Sequence, residues 1–348
     1  MSARHHPCDT GLRDKVKEVR QLEARDPVEF PEAVGQYKEP VVFRGLVSHW
    51  PLVKASRQSN RAADEYLRSF YNGNPVAVST GGPEIEGRIF YDDSLTGLNF
   101  RTRRDRLDRV LDELRACEGK EHPPIHYVGS ITVDLVLPGF RQENDLHFKG
   151  ASPSIRIWIG NQTRIAAHYD IPDNVACVAA GRRRFTLFPP DQLENLYVGP
   201  LDLTPAGQSI SLVDLRKPDF GKYPKFREAL RHAQAAELEP GDAIFIPSMW
   251  WHHVEGMDSF NVLVNYWWRD TPAYMGTPLD VLQHALLSLR DLPAGQREIW
   301  RGIFEHYIFS PDDDAVSHIP DHARGVLAPI TDESARRLRA VLVRNLNR

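Results

Sequence analysis

Arg164–Arg184, R-I-A-A-H-Y-D-I-P-D-N-V-A-C-V-A-A-G-R-R-R, decides how this chain folds, and Ile246–Val254, I-P-S-M-W-W-H-H-V, completes the reading. His168 and Asp170 stand two positions apart, so on an extended chain their side chains leave the same face. His252 brings a second imidazole from a distant strand. Two imidazoles and one carboxylate on one side of an ion, with the other side open, make the facial donor set of non-heme Fe(II) sites. His168, Asp170 and His252 are therefore the candidate metal ligands and the candidate catalytic centre. The residues before His252 support a buried site. Gly241-Asp242 makes a tight turn, Ala243–Pro247 carries an apolar strand, and Pro247 ends its regular pairing. Trp250 and Trp251 are expected to wall the site.

Composition sets the frame around these segments. The 348 residues, 41% hydrophobic and 26% charged, suit an ordinary globular chain with a sizeable core. A formal net charge of -4 gives no electrostatic reason to expect nucleic acid or an anionic membrane as a partner. Arg101–Arg109 is basic, but Asp105 and Asp108 dilute it, and it reads as a solvated helix face. Cys8, Cys117 and Cys177 are odd in number and far apart, which excludes a disulfide framework and a C-x-x-C metal site. A reducing cytosol fits them, and a cytoplasmic location is expected. The N-terminus lacks the apolar core of a signal peptide, and no run approaches the ~20 apolar residues of a membrane span. His5 and His6 read as part of an exposed tail.

Along the chain, residues 1–35 read as a lead-in, helical over Leu12–Leu22. Pro40–Phe43 reads as a short buried strand. Pro75–Thr80 alternates like another, with Gly87–Tyr91 as its hairpin partner. Leu107, Val110, Leu111 and Leu114 recur on one helical face, which predicts a helix over Arg103–Cys117. Ile125–Ser130, Ser154–Gly160, Val175–Ala180, Arg184–Pro189 and Phe260–Trp268 are further strands, rich in β-branched and aromatic residues. Many short strands without long intervening helices predict a mainly β barrel or sandwich over residues 36–272. From 273 to 348 three apolar stripes follow, on Val281–Leu289, Ile299–Ile308 and Leu338–Leu346. They predict helices that cap the barrel or join two copies in a homodimer.

The segments H-Y-D-x-x-x-N, G-R-R-R-F-T-L-F-P-P, P-G-D-A-I-F-I-P-x-x-W-W-H-H and V-N-Y-W resemble the cupin-like JmjC family of Fe(II)- and 2-oxoglutarate-dependent oxygenases. The asparaginyl hydroxylase that inhibits the hypoxia-inducible factor is one member. The resemblance implies a double-stranded β-helix, or jelly roll, with flanking helices and a C-terminal helical extension used for dimerisation. It assigns the ligand role to His252 rather than His253. Adjacent residues on a strand face opposite ways, so His253 is expected in the outer layer. Arg183 matches the position where the family usually places a Lys against the distal carboxylate of 2-oxoglutarate. Arg183, Phe185 and Leu187 share one strand face, with Arg182 and Arg184 on the other. Ile165 stands where the family has a hydroxyl-bearing residue, and Thr163, of the same facing parity, is the candidate substitute. Tyr127, Asn174 and Asn265 complete the expected cofactor-binding shell, and Trp267 joins Trp251 as substrate wall.

Fe(II), 2-oxoglutarate and dioxygen are the cofactor and co-substrates that the resemblance implies. The expected reaction hydroxylates a C–H bond, with succinate and carbon dioxide as co-products. A protein or peptide side chain is the first candidate substrate and a small molecule the second. Two other readings stay open: a non-catalytic cupin-fold interaction or scaffold module, and a metal-dependent cupin enzyme that does not use 2-oxoglutarate. Neutral imidazoles are required as ligands, so activity is expected to fall on acidification.

Overall fold

The computed structural model describes residues 16–24, 29–309 and 316–347. It separates into two compact units, Met1–Arg269 and Asp270–Arg348. In chain order the first unit contains β1 (Lys17–Glu18), β2 (Arg20–Glu23), β3 (Val41–Arg44), β4 (Pro75–Gly81), β5 (Arg88–Ile89), β6 (Arg101–Arg106), β7 (Ile125–Thr132) and β8 (Ser154–Gly160). There follow β9 (Arg164–Tyr169), β10 (Asp173–Ala180), β11 (Arg183–Phe188), β12 (Gln234–Leu238), β13 (Ala243–Ile246), β14 (Trp251–Gly256) and β15 (Asn261–Trp268).

These strands make two sheets, ordered β1-β12-β11-β14-β9-β5 and β2-β3-β13-β10-β15-β8-β7-β4-β6. The eight strands β8 to β15 supply four neighbours to each sheet. Pairing among them is antiparallel, and the chain passes back and forth between the sheets. This is the double-stranded β-helix that the resemblance implies. Between the sheets lies a core of Val42, Ala176, Val178, Phe185, Leu187, Ile244, Ile246, Val254 and Leu263. The larger sheet is covered on its other face by helices Pro51–Gln58, Asn60–Phe70 and Leu107–Ala116 through a second core that includes Trp50, Leu67 and Leu111. With both faces covered, β10 and β13 read as nearly continuous apolar runs. On the outer face of the smaller sheet, Phe188 and Trp251 pack against Leu196, Val213 and Phe226 of the long β11–β12 connection.

Three expectations are corrected. Residues 17–23 form strands, not a helix: β1 runs parallel to β12 and β2 parallel to β3. Val19 between them is buried, and its N–H donates to Ala235 O at 3.0 Å. Edge pairing and one buried side chain here override the helical propensity of a charged segment. The remainder of that helical reading, residues 12–15, lies outside the described residues, as do Cys8, His5 and His6. The partner of β4 is β6, whereas β5 joins the other sheet parallel to β9. Accordingly Arg101–Arg106 is an edge strand and the helix starts only at Leu107. Ion pairs of Arg103 with Glu113 and of Arg106 with Asp108, each 2.6 Å, give its charges partners.

The second unit contains helices Pro278–Ser288, Ala294–Phe304 and Asp332–Leu346. Thr277 and Thr331 cap the first and third, Thr331 in a reciprocal box with Ser334. The first two helices bury no residue; Val281, Leu282, Ile299 and Trp300 are exposed. Among the described residues no helix is long and apolar enough to cross a membrane.

Candidate metal centre

β9 carries His168 and, just past its end, Asp170; the neighbouring antiparallel strand β14 carries His252 directly opposite His168. Two steps along β14, from His252 to Val254, span three along β9, from His168 to Ile165. That bulge brings Ile165 and His168 to the same inward face although three positions separate them. One donor atom from each of His168, Asp170 and His252 lies within 4.8 Å of the others. His252 Nε2 is 3.6 Å from Asp170 Oδ2, and the two imidazole centroids are 4.3 Å apart.

Backbone carbonyls fix the tautomers. His168 Nδ1 donates to Ala166 O at 2.9 Å and His252 Nδ1 to Trp250 O at 3.0 Å. A carbonyl only accepts, so both protons sit on Nδ1 and both Nε2 lone pairs are left for a common ion. Burial, reinforced by the neighbouring His168, holds the His252 imidazole down to about 4, so it is neutral at neutral pH, as a ligand must be. The loop that carries Asp170 is tied to the turn before β14. Met249 N–H donates to Asp170 O at 2.9 Å, and Ser248 N–H to Asp173 Oδ1 at 2.8 Å. Met249 holds a left-handed φ of 67°, a conformation rare for a residue with a side chain and found where surrounding structure over-determines the backbone.

The opposite end of the interior is built around Arg183. It is 2% exposed, on the face shared with Phe185 and Leu187, and Leu187 pairs with His252 across β11 and β14. Its Nε is buried without a hydrogen-bond partner, and among the described residues it forms no ion pair. Desolvation draws this guanidinium down to about 10 against the opposing influence of Tyr127, whose own phenol burial pushes up to about 12. Its sequence neighbours differ: Arg182 bonds Asp258 at 2.8 Å and Arg184 bonds Glu237. Thr163 is buried at the same end, since its carbonyl accepts from Gly256 N at 2.8 Å and Gly256 pairs with Arg183. Asn265 Nδ2 donates to Asn174 Oδ1 at 2.8 Å, and Asn265 Oδ1 is left unpartnered.

The aromatic wall differs from expectation. Trp251 lies with Phe188 and Phe226 on the outer face and meets the Tyr169 ring edge-on at 4.9 Å, because a residue next to His252 on the strand must face away from it. Tyr266, next to Trp267 on β15, turns into the helix-side core and bonds Asp145. Trp267 meets a tryptophan that sequence reasoning passed over, Trp158 on β8, at 6.0 Å edge-on. Trp158 packs on the intersheet core, as Ile165 does, whereas Ile157 and Ile159 point into the helix-side core. The alternation I-W-I in β8 carried that signal. His253 also faces outward, with Nδ1 3.7 Å from Glu255 Oε1.

His168, Asp170 and His252, with their Nε2 atoms and carboxylate converging, fit a divalent ion of the Fe(II) kind bound on one side only. Such an ion would activate dioxygen when bound. The backbone carbonyls of Ala166 and Trp250 would hold the two imidazoles toward it.

Comparison with known proteins agrees. The family model described as "Cupin-like domain" matches residues 27–274. Lysine-specific demethylase JMJ31 of Arabidopsis thaliana is 36% identical over 117 residues, 33% of this chain and 21% of that protein. tRNA wybutosine-synthesizing protein 5 of Mus musculus is 29% identical over 189 residues, 49% of this chain and 54% of that protein. Lysine-specific demethylase 8 of Xenopus tropicalis is 25% identical over 240 residues, 66% and 48% of the two chains. The chain thus spans about half, or less, of the length of these curated relatives. The strand order of the barrel, the two-histidine, one-aspartate centre and the match over most of the chain lead to one assignment: it belongs to the cupin-like family, of JmjC type.

Proposed function

We propose that this chain is an Fe(II)- and 2-oxoglutarate-dependent dioxygenase that hydroxylates a C–H bond. The observation that carries the reading is Arg183, a buried guanidinium without a carboxylate partner, inside the same barrel as the metal centre. An uncompensated buried cation is strongly unfavourable, typically by several kcal/mol, so it calls for an anion from outside the chain. A five-carbon dicarboxylate with a keto acid at one end would place that end on the metal and its distal carboxylate at Arg183. The forked guanidinium suits a carboxylate through two parallel bonds. Neither a scaffold module nor a cupin enzyme without a keto acid gives Arg183 a use.

The proposed substrate is a protein or peptide side chain; relatives are named for lysine demethylation, and the net charge of -4 does not favour nucleic acid. A reducing, cytoplasmic setting suits the free, buried Cys117 and Cys177. For the second unit we propose that the apolar surface of Pro278–Ser288 and Ala294–Phe304 joins two copies, which sedimentation velocity would show as a dimer. The enzymatic reading is tested with Fe(II), 2-oxoglutarate and oxygen. Succinate should form only when all three are present, and N-oxalylglycine should raise the unfolding temperature only with Mn(II). Metal binding with neither effect would return the chain to the scaffold reading.

A further inference from the structure

One buried donor near Arg183 remains without a role. Trp158 has an indole N–H that is buried and unpartnered. Its ring stacks on Tyr127, with centroids 6.0 Å apart and 24° between the planes, and Tyr127 in turn lies in the field of Arg183. Two glycines make room for this pair. A Cβ on Gly129 would stand 3.0 Å from the Trp158 ring, and one on Gly160 would stand 2.9 Å from the Tyr127 ring. Such crowding keeps both rings where they are. Trp158 packs against the same intersheet core as Ile165, the inward residue that offers no hydroxyl.

Resting on the co-substrate reading above, we propose that Trp158 is a carboxylate-binding residue: its N–H donates to the distal carboxylate of 2-oxoglutarate, beside Arg183 and Tyr127. The inventory of bonds closes. A carboxylate offers about four lone-pair positions. The Arg183 fork fills two, the Tyr127 hydroxyl one, and the Trp158 N–H the fourth. The Tyr127 phenol stays protonated to about 12 and so remains a donor. An indole nitrogen is a donor only, so the group that satisfies it must be an acceptor, as a carboxylate oxygen is. Trp267 also has an unpartnered N–H, but it belongs to the metal end. It stands opposite Asn174 and Ser154, whereas Trp158 stands opposite Leu263, four residues further along β15.

The test compares two ligands of the Zn(II)-loaded full chain by calorimetry: 2-oxoglutarate, and 2-oxopentanoate, which lacks the distal carboxylate. Trp158→Phe should weaken 2-oxoglutarate binding about tenfold, the loss of one hydrogen bond to a charged group. It should leave 2-oxopentanoate and Zn(II) affinities unchanged, and Trp267→Phe should affect the two keto acids equally. Equal weakening of both ligands by Trp158→Phe would mean a packing role and overturn the proposal, as would undiminished 2-oxoglutarate binding. Wild-type protein that takes Zn(II) but neither keto acid would instead end the co-substrate reading, and this one with it. Should Trp158→Phe not fold, the wild-type indole resonance of Trp158 carries the test. It is expected to move downfield with 2-oxoglutarate and not with 2-oxopentanoate; a resonance indifferent to both overturns the assignment.

Discussion

At the metal end of the barrel, two imidazoles are oriented by backbone carbonyls of their own strands, at 2.9 and 3.0 Å, and face a carboxylate on the next loop. At the other end, Arg183, Tyr127 and Trp158 have almost no hydrogen-bonding partners and are held by rings, glycines and burial. The first end can be complete with an ion alone. On the proposed reading, the second is complete only when an anion arrives. A donor set fixed by main chain tolerates little change. An anion pocket built from side chains can exchange Lys for Arg, or lose a hydroxyl, and still close around its ligand.

The largest effect should come from breaking the metal end. His168→Ala or Asp170→Ala is expected to reduce 2-oxoglutarate turnover to the detection limit, while circular dichroism and the unfolding transition stay close to wild type. Neither side chain is a large core group, and Asp170 is tied to the β14 turn through its backbone oxygen rather than its carboxylate. Full turnover in either variant would be incompatible with the ligand assignment.

Breaking the anion end should give a graded loss instead. Arg183→Ala is expected to raise the 2-oxoglutarate requirement about a hundredfold, two charge-assisted hydrogen bonds' worth, with Mn(II) affinity unchanged. Arg182→Ala should change it by less than about twofold, because that side chain is half exposed and pairs with Asp258 at the surface. Arg183→Met adds a test that the metal end cannot offer. Removing an uncompensated buried charge should stabilise the ligand-free protein by about 1 kcal/mol or more in urea unfolding. Equal effects at 182 and 183, or a destabilised Arg183→Met, would place the guanidinium on the wrong face.

The same contrast explains what could be read from the letters. The larger sheet was legible because both its faces are buried, so β10, β13 and β15 are nearly continuous apolar runs. β6 and the pair β1 and β2 were misread because edge strands of Arg, Lys and Glu carry no period of their own; their partners lie far along the chain. The pair His168 and Asp170 was legible from spacing and parity and His252 from the resemblance, with the bulge in β9 invisible until pairing was seen. Trp251 was misplaced by treating two adjacent tryptophans as one wall, although parity allows only one of them to share the face of His252. Trp158 was missed because a lone aromatic between isoleucines reads as core; only its unpartnered N–H marks it out.

The smallest expected effect sharpens the comparison most. Ile165 sits between the two ends, inward-facing because of the β9 bulge, opposite Val254 and in line with Phe185 on β11. Ile165→Thr removes one methyl group there and adds the hydroxyl that the resemblance leads one to expect. If the anion pocket is adaptable, the bound carboxylate should tilt to accept from the new group as well, two donors then sharing one lone-pair position, and the 2-oxoglutarate requirement should fall about two- to tenfold, at most one ordinary hydrogen bond. The ligand-free protein should lose about 1–2 kcal/mol, because the hydroxyl then lacks an acceptor and one methyl group is gone. Added 2-oxoglutarate with Mn(II) should recover that loss, measured as a larger ligand-induced rise in unfolding temperature than in wild type. An unchanged requirement together with the full stability loss would show that the carboxylate does not reach this depth. It would then lie nearer to Arg183, and the collar of Ile165, Val254 and Phe185 would be a dry separator between the two ends.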